Sequence, residues 1–176
     1  MNRILILLLL IGAFAQSQET ITWSSNYALQ WPDFKGEPRI NGDAVAVTAS
    51  GITFGYSTTR YDNGRIDYEF DIKAQFYPNR SYYLKERVTQ ITLDHERLHF
   101  DIAELHARKF RQIVAQTRFS RNIDNEVEAI YNRINRDLRE MQQLYDRETN
   151  HSINIEKQKA WQEYVANQLS KFGEFD

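Results

Sequence analysis

The chain has 176 residues, a formal charge of −2 with histidine neutral, and no cysteine. That length suits one domain around one core, and the charge gives no electrostatic basis for binding nucleic acid. Disulfides are impossible, and an aromatic content of 13% argues against disorder.

Arg3 precedes a near-continuous apolar run, Ile4 to Ala15, that ends in Ala13-Phe14-Ala15. A positive start, an apolar stretch and an A-x-A end describe a signal peptide over residues 1–15. The expectation is an exported chain with a single mature domain over 16–176. The run is shorter than the about 20 residues a bilayer span needs, so no stable membrane insertion is expected after cleavage.

"TITWSSNYALQWPDFKGEP" (20–38) carries short extended signals followed by Pro and Gly punctuation. "AVAVTASGITFGY" (44–56) is rich in β-branched residues, and its apolar phase slips at 49–51, predicting a bulge. In "IDYEFDIKAQF" (66–76), apolar residues alternate strictly with polar ones. Such a segment buries one face and wets the other, as in an antiparallel sheet. "DNG" at 62–64 reads as a hairpin turn, so 44–61 is expected to pair with 65–76. The latter is read as an edge strand able to align an extended peptide.

From about Arg87 the apolar period becomes helical, through Ile91, His95, Leu98, Ile102 and Leu105. A second helix is expected from about Asp124 to Tyr145, then a polar loop over 146–154, then a third helix over roughly 155–170. The fold class is therefore α+β: an antiparallel sheet in the N-terminal half, packed against one helix that two more follow.

The first helix carries His95-Glu96-Arg97-Leu98-His99, an H-E-x-x-H pattern. At 100° per residue the two imidazoles lie 40° apart and one turn along, within reach of one ion. Zinc bonds to histidine nitrogen of about 2.0–2.1 Å demand that closeness. Glu96 falls to the side, where a carboxylate can take a proton from water without ligating. His106 shares their face, but it lies seven residues beyond His99, about 10.5 Å along an unbroken helix. It is expected to line a cleft or pack in the core.

A catalytic zinc ordinarily has three protein ligands and an open position. His151 is the first candidate for the third, in the loop between the second and third helices. Glu126 and Glu128 of the second helix are the alternatives. Nearby, Tyr145 is a candidate catalytic donor to a developing oxyanion, and Asp146 a candidate to orient a ligating imidazole.

"WPDFKGEP" (31–38), "HERLHFDIAELHARK" (95–109) and "YDRETNHSINIEKQKAW" (145–161) occur in this order, and a resemblance extends around them over about residues 23 to 169. In this the chain resembles a family of bacterial exported proteins catalogued as domain of unknown function 922, described as zinc-dependent proteases on the strength of the H-E-x-x-H motif. The resemblance implies a zincin-like fold, His95, Glu96 and His99 at a Zn²⁺ site, and Tyr145, Asp146, Thr149 and His151 as a second motif. The family pattern has glycine where this chain has Ser152.

The expected activity is zinc-dependent hydrolysis of peptide bonds in a peptide or protein substrate. Glu96 would deprotonate zinc-bound water and return the proton to the leaving amine. The alternatives are an exported zinc-binding structural or interaction module, and a metal-dependent amidase of cell-wall peptides.

Overall fold

The alternating segment forms a strand because its even-numbered apolar side chains find a helix to cover them. The computed structural model describes residues 18–38, 44–63 and 65–176; the expected leader and Gly64 of the hairpin turn lie outside these. The elements are β1 (Ile21–Thr22), β2 (Ala46–Val47), β3 (Ser50–Arg60), β4 (Ile66–Phe76), β5 (Tyr82–Tyr83), α1 (Gln90–Gln116), α2 (Ile123–Thr149) and α3 (Ile155–Lys171). Ile72, Ala74 and Phe76 of β4 are buried, while Asp67, Glu69, Asp71 and Lys73 face solvent.

The architecture is α+β, with two antiparallel sheets and three helices. One sheet has the order β1-β4-β3 and the other is the pair β2-β5. β3 and β4 form the expected hairpin, in register from Arg60↔Ile66 to Ser50↔Phe76. The pairing is narrower than the sequence suggested, because residues before Ser50 belong to the other sheet: Ala46 pairs with Tyr83. The phase slip at 49–51 is thus a change of sheet rather than a bulge. At the crossing, the Ala49 N–H donates to Ser81 Oγ (2.9 Å) and its carbonyl accepts from Tyr77 (2.9 Å), so no main-chain group there is wasted.

A second correction concerns β4. It runs between β1 and β3, and the strand that borders the cleft described below is β2. The "WPDFKGEP" stretch braces that border from behind: Trp31 stacks on Tyr83 of β5 with ring centroids 4.6 Å apart. Gly36 donates to Ser81 O (2.8 Å), so close that a Cβ would stand 2.9 Å from the same oxygen.

α1 is capped at its N-terminus by Thr89, whose hydroxyl accepts from the Thr92 N–H. It packs on β3 and β4 on one side and on α2 and α3 on the other, so its middle is buried nearly all round. Phe100, Ile102, Ala103, Ala107 and Phe110 belong to the core; each large apolar side chain so buried is worth about 1.5–3 kcal/mol. Polar residues on this helix are buried with it. Glu104, 2% exposed, is satisfied by Arg108 Nε (3.0 Å) and Arg111 Nη1 (2.8 Å).

α1 and α2 run antiparallel. Tyr145 stacks on His95, the Gln142 amide donates to His99 O, and Tyr131 packs near Phe110. α2 continues four residues past its expected end, so Asp146 and Thr149 are helical. The polar stretch reads as a loop because only Tyr145 and Thr149 of that last turn are buried, with the Thr149 hydroxyl donating to Tyr145 O (2.7 Å). The chain then takes three successive left-handed residues, Asn150, His151 and Ser152, at φ of 47°, 51° and 74°. Their turn is held by His151 N–H to Asp146 O (3.0 Å) and Asn154 N–H to Thr149 O (2.7 Å). No described helix is long and apolar enough to cross a membrane.

Candidate metal centre

His95 and His99 stand one turn apart on α1, and both Nε2 atoms point at the last turn of α2. There Asp146 Oδ1 lies 3.1 Å from His95 Nε2 and 2.9 Å from His99 Nε2, while the two nitrogens are 3.3 Å apart. Among the described residues these three form the cluster able to hold a metal ion. Donors on a tetrahedral ion with bonds of about 2.1 Å are about 3.4 Å apart, close to what this side-chain set presents. The negative end of the α2 dipole lies at the same place and favours a cation.

The electrostatics run the same way. Burial opposes the charge on Asp146, but hydrogen bonds from both imidazoles outweigh it and hold the carboxyl far below its usual range. Burial also disfavours protonation of His99. The bond to Asp146 and the carboxylates of Glu96 and Asp146 overcome this and leave its pKa raised. A site that attracts a proton this way attracts a metal cation by the same field.

Glu96 lies beside the pair, 5% exposed, and its Oε2 has no hydrogen-bond partner. A buried, unpartnered carboxylate oxygen is costly unless something else binds it. It opens on a cleft of about 950 Å³ walled by β2, the start of α1 and the last turns of α2.

His95 is fixed from behind. Its Nδ1 is 3.1 Å from Gln158 Oε1 of α3, and the Tyr145 hydroxyl donates to that same oxygen at 2.8 Å. With Nδ1 donating its proton to the amide, the proton that Nε2 shares with Asp146 is the one a metal ion would displace, which would turn the Nε2 lone pair to the ion. The sequence does not single out Gln158, which is one polar residue in a helix of many. Its burial stripe with Trp161 and Val165 is the signal that was available.

The other sequence candidates fall as follows. Asp146, expected to orient a ligand, itself offers the third donor atom of the cluster that could hold a metal. Glu126 and Glu128 sit in the first turns of α2, about 30 Å along the helix from Asp146, and do not reach the site. Glu126 instead accepts from the Ser120 N–H. His151 stands at the rim, outside the three-atom cluster. Its side chain is 74% exposed, with Nδ1 3.8 Å from Asp146 Oδ1. Tyr145 is fully buried behind His95, where burial pushes its phenol up, and its hydroxyl faces Gln158 rather than the cleft. That is the place of a positioning residue. His106 is packed in the core as expected, with Nδ1 2.9 Å from Ile102 O.

No curated protein and no solved structure matches the chain. One family model does, over residues 24–152, which include every residue of the cluster. The chain therefore belongs to the family described as bacterial protein of unknown function, DUF922.

Proposed function

We propose that this protein is an exported zinc-dependent metallopeptidase of zincin-like type. The observation that carries the reading is one arrangement: two imidazole Nε2 atoms and one carboxylate oxygen converge beside the unpartnered Glu96 Oε2, on the floor of an open cleft. Two neutral imidazoles and a carboxylate are a donor set that suits zinc and leaves a position open.

His95, His99 and Asp146 would hold the ion. Zinc there would supply Lewis acidity toward a carbonyl and a lowered pKa for water. Glu96 accepts a proton from the attacking water as the new C–O bond forms and then returns it to the amine nitrogen as the C–N bond breaks. Gln158 and Tyr145 keep His95 in the required tautomer. The substrate would lie extended against residues 44–47, which line the cleft and include β2.

Glu96→Gln tests this directly. Zinc stoichiometry by elemental analysis should stay the same while cleavage of a pooled quenched-fluorescent peptide library is lost. Turnover undiminished in Glu96→Gln overturns the mechanism.

One observation favours a second reading, a zinc-stabilised interaction module. His151 stands near enough to Asp146 to close the coordination sphere with a fourth protein donor. X-ray absorption of the zinc-loaded protein separates the two: four protein ligands mean a structural site, and three with a water-derived oxygen mean an open one.

A further inference from the structure

The cleft walls carry a charge pattern that the metal chemistry does not use. Apart from the histidines, the charged side chains that line the cleft among the described residues are Glu96 and Asp146 at its centre and two arginines, Arg87 and Arg139. Both arginines are exposed, and neither makes an ion pair among the described residues. A dication at the centre is offset by Asp146 and Glu96, which leaves the two arginines uncompensated among the described lining residues. The whole chain, by contrast, is net negative.

Their positions along the cleft differ in a useful way. Arg139 lies seven residues before Asp146 on α2, two turns and about 10.5 Å away on the same face. Arg87 lies three residues before α1 begins and eight before His95. Because the two helices run antiparallel, these displacements point in opposite directions. One cation stands toward each end of the cleft, with the metal cluster between. The lining also includes three of the molecule's exposed large aliphatic side chains, Ile91, Ile153 and Ile155.

We infer that the cleft takes an extended acidic peptide segment, with an aspartate or glutamate on each side of the central residue and an aliphatic side chain between. An extended chain covers about 10 Å in about three residues, which sets the spacing of the two acids. Arg87 and Arg139 are the specificity-determining residues: guanidinium groups toward opposite ends of the cleft, each able to meet one carboxylate in bidentate fashion. This rests on the peptidase reading for its substrate class, but it is tested by binding alone.

The probe is a fluorescein-labelled peptide with one aspartate about three residues to either side of an Ile-Ala centre. Its controls carry glutamine or lysine in place of aspartate, and anisotropy is read with zinc-loaded Glu96→Gln protein. The aspartate peptide should bind about tenfold tighter than the glutamine peptide at low salt. That preference should fade toward parity by about 0.5 M NaCl. The R87Q/R139Q double variant, with unchanged circular dichroism and zinc content, should lose the preference and keep the weaker binding common to both peptides. Equal binding of the three peptides, or a preference that survives the double variant, overturns the inference. So does an oligothymidylate of the same charge that binds as tightly as the aspartate peptide. If charge-selective binding is present while wild-type protein cleaves none of the peptides, the peptidase reading fails and the recognition stands.

Discussion

Gln158 Oε1 on α3 lies 3.1 Å from His95 Nδ1 on α1, with the Tyr145 hydroxyl 2.8 Å from the same oxygen. One amide thus ties three helices together at the back of the candidate metal site, and its own Nε2 is left buried without a partner. That imbalance has a cost of about 1–3 kcal/mol, which a purely structural residue would have little reason to carry. Gln158→Leu should lower zinc affinity about 10- to 100-fold, read by competition with a chromophoric chelator. Gln158→Glu keeps an acceptor for both donors and should restore most of that affinity. If Gln158→Leu holds zinc as tightly as wild type, the amide does not orient His95.

The third ligand is the next point to test. Asp146 Oδ1 already touches both imidazoles, whereas His151 is largely exposed at the rim. Asp146→Ala should therefore lose zinc by about 100-fold or more, and His151→Ala by much less. The reverse order in a chelator titration would restore His151 as the third ligand.

Tyr145→Phe separates positioning from catalysis. A donor to an oxyanion is worth about 10²–10³ in kcat. A phenol buried against Gln158 is worth a hydrogen bond, about 1 kcal/mol of stability. The expectation is a lower urea midpoint and a kcat changed by a small factor. A hundredfold fall in kcat with unchanged stability would show that the hydroxyl reaches the substrate after all.

Much of this was legible in the sequence, and the residues that were not share a cause. Strict alternation identified β4 and its buried face, because a two-residue period survives whatever the strand packs against. The His95–His99 pair was legible because helix geometry alone brings them together. Asp146 was misplaced because the last turn of α2 is exposed on most faces, so its apolar period fades before the helix ends. Gln158 was missed because its partners lie 63 and 13 residues away in sequence. The sheet change at Thr48-Ala49 resembled a bulge because both disturb the same phase, and the partner strand β5 is too short to announce itself.

His106 carries a pH signature. Burial lowers its pKa from the ordinary 6.5 to about 4. The folded state then keeps it neutral while the unfolded state protonates it near pH 6.5. This contribution is complete above pH 6.5 and is lost as pH falls from there toward 4. The unfolded chain binds the extra proton, so stability rises with pH in that window. Between pH 7 and pH 5 the loss from this one residue is about 2 kcal/mol. Urea unfolding at the two pH values should show a fall smaller by about that amount in His106→Leu than in wild type, both with chelator present. Equal falls would mean that His106 is protonated in the folded protein.

Ser152 offers a stabilising change beside the cleft. Its φ of 74° lies where an L-residue costs about 1–2 kcal/mol and glycine costs almost nothing sterically. Asn150 and His151 before it are also left-handed, so the strain is concentrated in the turn that places His151 next to Asp146. Ser152→Gly should relieve the last of the three. Part of that gain is returned as greater freedom of the unfolded chain, leaving a net stabilisation of about 0.5–1 kcal/mol. Thermal unfolding reads this as a higher Tm. Zinc affinity should be unchanged, because the cluster atoms lie on α1 and α2 rather than in the turn. A lower Tm would mean that the serine side chain supports the turn by more than its backbone strain costs.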